Sequence, residues 1–245
     1  MSKISTAIEM EFKSLRIYWL QLLIVVFVMP FSYAFIILIS GNLQGASVNY
    51  LLSGYIISTI ISTFINMLGM RITNMRQQEV LELYSTYAIS FPTIVISECL
   101  AYVLITLPIV LIVLGYIVAT SQVINWLLLI CGALLTIVFL LLISVYLGLA
   151  MKNMFIANGL FQVITWVLIL LAPIYYNFET LNPVFKGILL INPVTHLLNM
   201  VRVPLGFLPS VNLAYSYGYI VLLSIFAFVY VSKRINSTHI LEKIF

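Results

Sequence analysis

Groups able to do chemistry are scarce in this chain. Its 245 residues hold seven acids against eleven Lys and Arg, with two His and two Cys. All seven acids are Glu; Asp is absent. No GxxxxGK phosphate-binding loop occurs, so the chain cannot hydrolyse ATP by that route alone. Cys99 and Cys131 lie inside apolar runs, which argues for small buried side chains rather than a disulfide. His196 and His239 are distant in sequence from each other and from both cysteines, a poor set for a metal. His196 has no nucleophile in a GxSG-like setting nearby, so hydrolytic catalysis has no visible machinery. Glu98 is the one acid within a long apolar segment. Roughly 9 Å along a helix from Pro92, it reads first as an interfacial residue that helps seat the helix. A single acid gives little support to ion-coupled transport.

Two polar islands hold most of the remaining titratable groups. Residues 71–90 concentrate Arg71, Arg76, Glu79 and Glu82, with Val80, Leu81 and Tyr84 giving an apolar side. Residues 172–204 carry Glu179, Lys186, His196 and Arg202, and are broken by Pro173, Pro183 and Pro193. Each island has a plain reading, a solvated loop for the first and interfacial anchoring for Arg202 in the second.

The elements that must position these groups follow from composition. The chain is 63% hydrophobic and 7% charged, whereas soluble domains carry about 25% charged residues. The bilayer is therefore the solvent for most of it. At roughly 20 apolar residues per span, six transmembrane helices nearly exhaust the length, giving one all-α membrane domain over 1–245. Predicted spans run from about Tyr18 to Ser40, Tyr50 to Met70, Pro92 to Thr120, Trp126 to Ala150, Phe155 to Tyr176 and Tyr215 to Val231. Before them, Ile4, Ile8, Phe12 and Leu15 recur at helical spacing. Residues 1–17 thus predict an amphipathic helix lying in the interface, with a solvated tail as the alternative. The length of the first apolar run marks it as a retained span rather than a cleaved signal.

An even span count puts both termini on one side, with Lys3, Lys13, Arg16, Arg71, Arg76, Lys152, Lys233, Arg234 and Lys243. Only Lys186 and Arg202 fall on the other. The excess of basic residues makes the first side cytoplasmic. The first island then faces the cytoplasm between spans 2 and 3, and the second forms an outer cap between spans 5 and 6.

The chain resembles the ABC-2-type permeases, the membrane subunits of a class of ATP-driven exporters. Asn192-Pro193-Val194-Thr195-His196 with Arg202 is similar to the family's NP-x-T-H…R element, and Ala172-Pro173-Ile174-Tyr175-Tyr176 to its counterpart after span 5. Arg76 to Ser90 occupies the place of the family's coupling helix. Asn177 and Ala88 stand where the family usually has proline. The resemblance implies a permease without its own ATPase site. ATP and Mg would belong to two copies of a separate ABC ATP-binding subunit, paired with two permeases as a homo- or heterodimer. Arg76, Glu79, Glu82, Tyr84 and Tyr87 would couple to that ATPase. Pro173, Tyr175, Tyr176, Asn192, Pro193, His196 and Arg202 would form a re-entrant outer gate. It further implies a multi-pass protein of a prokaryotic inner (plasma) membrane, with lipid but no nucleic acid as partner.

The uncharged spans favour an amphipathic or hydrophobic solute, such as a drug, lipid, lipid-linked glycan or peptide, moved outward by alternating access. The alternative is a self-contained secondary transporter or channel, for which an inverted repeat would speak; none is visible.

Overall fold

The computed structural model describes residues 3–16, 19–28, 31, 32, 35, 48–77, 80, 82, 90–121, 124–174, 176, 178 and 181–242. Part of the predicted first span, chiefly its second half, lies outside the described residues. So do Glu79, Tyr84, Tyr87 and Tyr175.

Helices make up the described chain, with no strand among the described residues. α1 is Lys3–Leu15. α2 is Trp19–Leu23, continued as a π-helix over Ile24–Val28. α3 is the unbroken run Val48–Met75, with a π-helical stretch at Ser62–Leu68. α4 is Phe91–Thr120, α5 Trp126–Ala150 and α6 Met154–Leu170. The short helices α7, Pro183–Ile191, and α8, Pro193–Arg202, are bent about 90° from each other. α9 is Leu213–Glu242.

Four of these helices, α3, α4, α5 and α9, are long and apolar enough to cross a membrane, and the bent pair makes a fifth if it counts as one span. α6, at 17 residues, spans about 25 Å, short of the roughly 30 Å of a hydrocarbon core. The predicted fifth span reached Tyr176, but the helix ends at Leu170. Pro173 lacks an N–H and disfavours helical geometry in the residue before it, so the helix stops short of it. The second span differs in the other direction, running past Met70 to Met75, so that Arg71 belongs to the helix.

Local sequence explains most other boundaries. Ser90 precedes α4 with Pro92 in its first turn, where a missing N–H costs nothing. Asn125 and Asn153 accept hydrogen bonds from the first-turn amides of α5 and α6. The two Asn-Pro pairs at 182–183 and 192–193 each supply a cap and a first-turn proline, and each starts a helix.

Side-chain bonds fix how the long helices alternate. Near one end, the Thr120 hydroxyl donates to Asn49 Oδ1 (3.0 Å), joining the end of α4 to the start of α3. At the opposite end, Arg71 on α3 pairs with Glu98 on α4 (2.6 Å). The Arg76 guanidinium donates to the carbonyls of Leu149 and Met151, closing the last turn of α5 at that same end. α3 is the central helix, with 83% of its apolar window buried against 11% for α4. Glycines let α5 lie against it: a Cβ on Gly148 would sit 2.7 Å from the Gly69 carbonyl oxygen and from Ile72 Cβ. The Thr73 hydroxyl uses that approach to donate to the Gly148 carbonyl (3.2 Å). Small residues and bridging hydroxyls replace the hydrophobic drive that lipid cannot supply between helices.

Gly148→Ala is therefore expected to lower thermal stability in detergent, by about 1–3 kcal/mol, through overpacking against backbone. Gly218→Ala, whose added Cβ meets nothing within 4 Å, serves as the control and leaves stability unchanged or slightly raised.

Candidate functional site

The candidate site lies where α6 ends. A helix leaves its last carbonyls without intrahelical partners, and at membrane depth a bare carbonyl costs several kcal/mol. Three side chains meet this demand over residues 168–176. The Asn192 amide donates to the carbonyls of Leu168 and Leu171, both at 2.8 Å. Its Oδ1 accepts from Val194 N (3.0 Å), so one residue caps the end of α6 and the start of α8. Arg202, 3% exposed at the end of α8, donates to the carbonyls of Pro173 (2.6 Å), Ile174 (2.6 Å) and Tyr50 (3.2 Å). Its Nε donates to the Ser53 hydroxyl (2.9 Å). Tyr50 completes the cage. Its hydroxyl donates to the carbonyls of Tyr176 (2.8 Å) and Pro173 (3.2 Å), and its ring lies 3.6 Å beneath the Arg202 guanidinium.

Such packing needs a small residue opposite. Gly54 fills that role, because a Cβ there would stand 2.7 Å from Ile174 Cγ2 and 3.4 Å from the guanidinium. The predicted gate residues thus divide. Pro173, Asn192 and Arg202 meet in the cage, and Tyr176 joins through its carbonyl. The Tyr176 hydroxyl donates weakly to the Leu170 carbonyl (3.4 Å). Pro193 opens α8.

His196 sits outside the cage, against α9. Its Nδ1 is 3.2 Å from the Ser216 hydroxyl and its Nε2 2.9 Å from the Leu190 carbonyl. The ring packs on Tyr219 at 4.5 Å between centroids. Both nitrogens are thus engaged, as suits a residue joining α7, α8 and α9. Asn199, one turn on, donates to the Val211 carbonyl and to Ser216. Among the described residues no cluster of His, Cys, Asp and Glu could hold a metal ion, and Cys99 and Cys131 are free thiols.

At the opposite end, Arg76 has its guanidinium turned into the carbonyls that end α5. Burial holds it below the ordinary arginine value, nearby Arg234 adds to this, and Tyr230 opposes it; it remains charged. Glu82 is exposed. Glu98, read from the sequence as a residue that helps seat its helix, has partners on two other helices. It is fully buried and paired with Arg71, beside Glu11 of α1.

The family model for ABC-2 type transporters matches residues 4–205, a stretch running from α1 through the cage to the end of the turn after α8. The chain belongs to the ABC-2 type transporter family. No curated protein matches it. As an ABC-2 permease it is a multi-pass membrane component, not itself an ATPase, of a family that normally works with an ATP-binding subunit. Tyr50, Ser53 and Gly54 are cage residues that sequence reasoning missed. Tyr50 carried one usable signal, an aromatic at the start of a span.

Arg202→Met is expected to destabilise the permease by about 1–3 kcal/mol for each acceptor it leaves without a donor, because it strands carbonyls and a hydroxyl in the interior. Arg202→Lys should recover only part of this, since a point charge cannot span four acceptors set around a planar fork. Thermal unfolding in detergent reads both. Asn192→Ser keeps the helix cap and loses the two donated bonds, at about 1 kcal/mol each.

Proposed function

We propose that this permease is the membrane half of an ABC exporter, moving an amphipathic or hydrophobic solute outward by alternating access. Candidate cargoes are drugs, lipids, lipid-linked glycans and small peptides. The observation that carries this reading is the nature of the long helices. Among the described residues they offer a mid-membrane charged solute no partner, because their one buried carboxylate, Glu98, is already taken by Arg71. Buried charge in a membrane needs such partners.

In this reading the chain has six spans, with both termini, α1, the basic residues of α3 and α9, and Lys152 after α5 towards the cytoplasm. The working unit holds two permeases and two ATPases in a prokaryotic inner membrane. The segment from Arg76 to Tyr87 docks in the ATPase, with Glu79, Glu82, Tyr84 and Tyr87 as contacts and Arg76 anchoring it to α5. The cage of Arg202, Asn192 and Tyr50 holds the re-entrant cap as the outer gate.

The test is to purify the protein with its natural neighbours and to reverse Glu79 and Glu82 to Lys. Loss of ATPase association and of ATP-driven export, with the permease still folded, is the expected outcome. Unchanged assembly and ATPase stimulation would remove the docking role. Transport by the purified chain alone on an ion gradient would overturn the exporter reading.

A further inference from the structure

The cluster of Glu11, Arg71 and Glu98 is not used by the function proposed above, and among the described residues its charges do not balance. Arg71 Nε donates to Glu98 Oε1 (2.6 Å) and its Nη2 to Glu11 Oε2 (2.8 Å). Nη2 also reaches Ser14 Oγ at 3.1 Å, and that hydroxyl lies 3.3 Å from Glu11 Oε2. The carboxylate side chains are 5% and 1% exposed, and the guanidinium 21%. Three elements meet here, α1 through Glu11 and Ser14, α3 through Arg71, and α4 through Glu98.

The charged groups acting on Glu98 are Glu11 and Arg71, and the neighbouring titratable group on its own helix is Cys99. Of the remaining charges on and just after α1, those whose side chains are described do not enter the cluster. Glu9 and Lys13 pair with each other on its exposed side at 2.9 Å, and Arg16 is exposed. Two ionised carboxylates on one guanidinium leave a surplus negative charge with almost no access to water, which costs several kcal/mol. Glu98 Oε2 is buried and receives no hydrogen bond. One guanidinium thus holds both carboxylates, each through one oxygen. Two ionised carboxylates are both acceptors, and a proton on either one removes the surplus charge and gives the pair a donor.

We propose that Glu11 and Glu98 bind one shared proton, and that this proton latches the N-terminal helix α1 onto α3 and α4. With the proton bound, the cluster is neutral and all three elements are joined. When it leaves, the surplus charge is relieved by moving Glu11, the carboxylate on the short outer helix, out towards water. Glu98 cannot follow, since it lies about 10 Å into α4 and keeps Arg71. The seat of α1 is thus set by pH, being held below the pKa of the pair and released as pH rises through it.

Hydrogen exchange of α1 amides in the full-length chain in lipid nanodiscs, corrected for intrinsic rates, tests this across pH. Protection of α1 should fall with rising pH, approaching about tenfold per pH unit, as one proton requires. In Glu98→Gln and in Glu11→Gln the surplus charge is gone, and α1 should stay protected with no such slope. The wild-type chain should also show an infrared carboxylic-acid band, absent from either variant, which reports the proton even where one variant folds poorly. Flat protection in the wild type, a slope that survives in both variants, or no carboxylic-acid band would overturn the proposal.

Discussion

A polypeptide inside a bilayer must satisfy its own backbone, and the break after α6 is where this chain meets that constraint without a helix. Between Leu168 and Tyr176, carbonyls that a longer helix would have used internally are exposed to the interior. Asn192, Arg202 and Tyr50 donate to them from two other elements. The supply is matched to the need. A guanidinium has five donors and no acceptor, and a primary amide can cap one helix end with its oxygen while donating to another with its nitrogen. A permanent cation is tolerated because carbonyl dipoles and the Tyr50 ring surround it. This ties the cap to the start of α3, the most deeply buried of the long helices, so the irregular segment moves with the core or not at all.

The rest of the bundle transmits that tie. Gly54 admits Ile174 and Arg202 to the surface of α3, and Gly132 of α5 lies so close to α8 that a Cβ would stand 2.7 Å from the Met200 carbonyl oxygen. Gly148 brings the far end of α5 onto α3. Contacts at both ends of the bundle therefore converge on α3 and α5. At the basic end, Arg71 holds α1 and α4 while Arg76 holds the end of α5. In a family whose permeases normally work with an ATP-binding subunit, α3 thus joins the two ends directly. Its π-helical stretch lies between them, and there Asn66 accepts a hydrogen bond from Thr165 of α6 (3.1 Å).

Much of this was legible in the sequence. Composition gave the solvent, hydrophobic runs gave α3, α4, α5 and α9 to within a few residues at most boundaries, and the prolines marked the cap. The Asn-Pro pairs also held more than was taken from them, since each is a helix start and not merely a break. What could not be read is pairwise. Nothing in the order of residues says that Arg202 reaches back past 149 positions to Ser53, or that Glu98 is buried against Arg71. A lone acid near a span end has the same sequence signature whether buried or exposed, and only the partner decides. Likewise Gly54 and Gly148 look like any small residue in a span until the facing backbone is known.

The central claim is that the cage residues act as one unit on the carbonyls after α6. A double-mutant cycle between Tyr50→Phe and Arg202→Met, read by unfolding in detergent, tests it most directly. Phe keeps the ring and removes only the hydroxyl. Both wild-type side chains donate to the Pro173 carbonyl, so losing either loosens the segment that the other holds. The account predicts a coupling within the ~0.5–3 kcal/mol seen for residues sharing a network. Effects that simply add, to within about 0.3–0.5 kcal/mol, would contradict it.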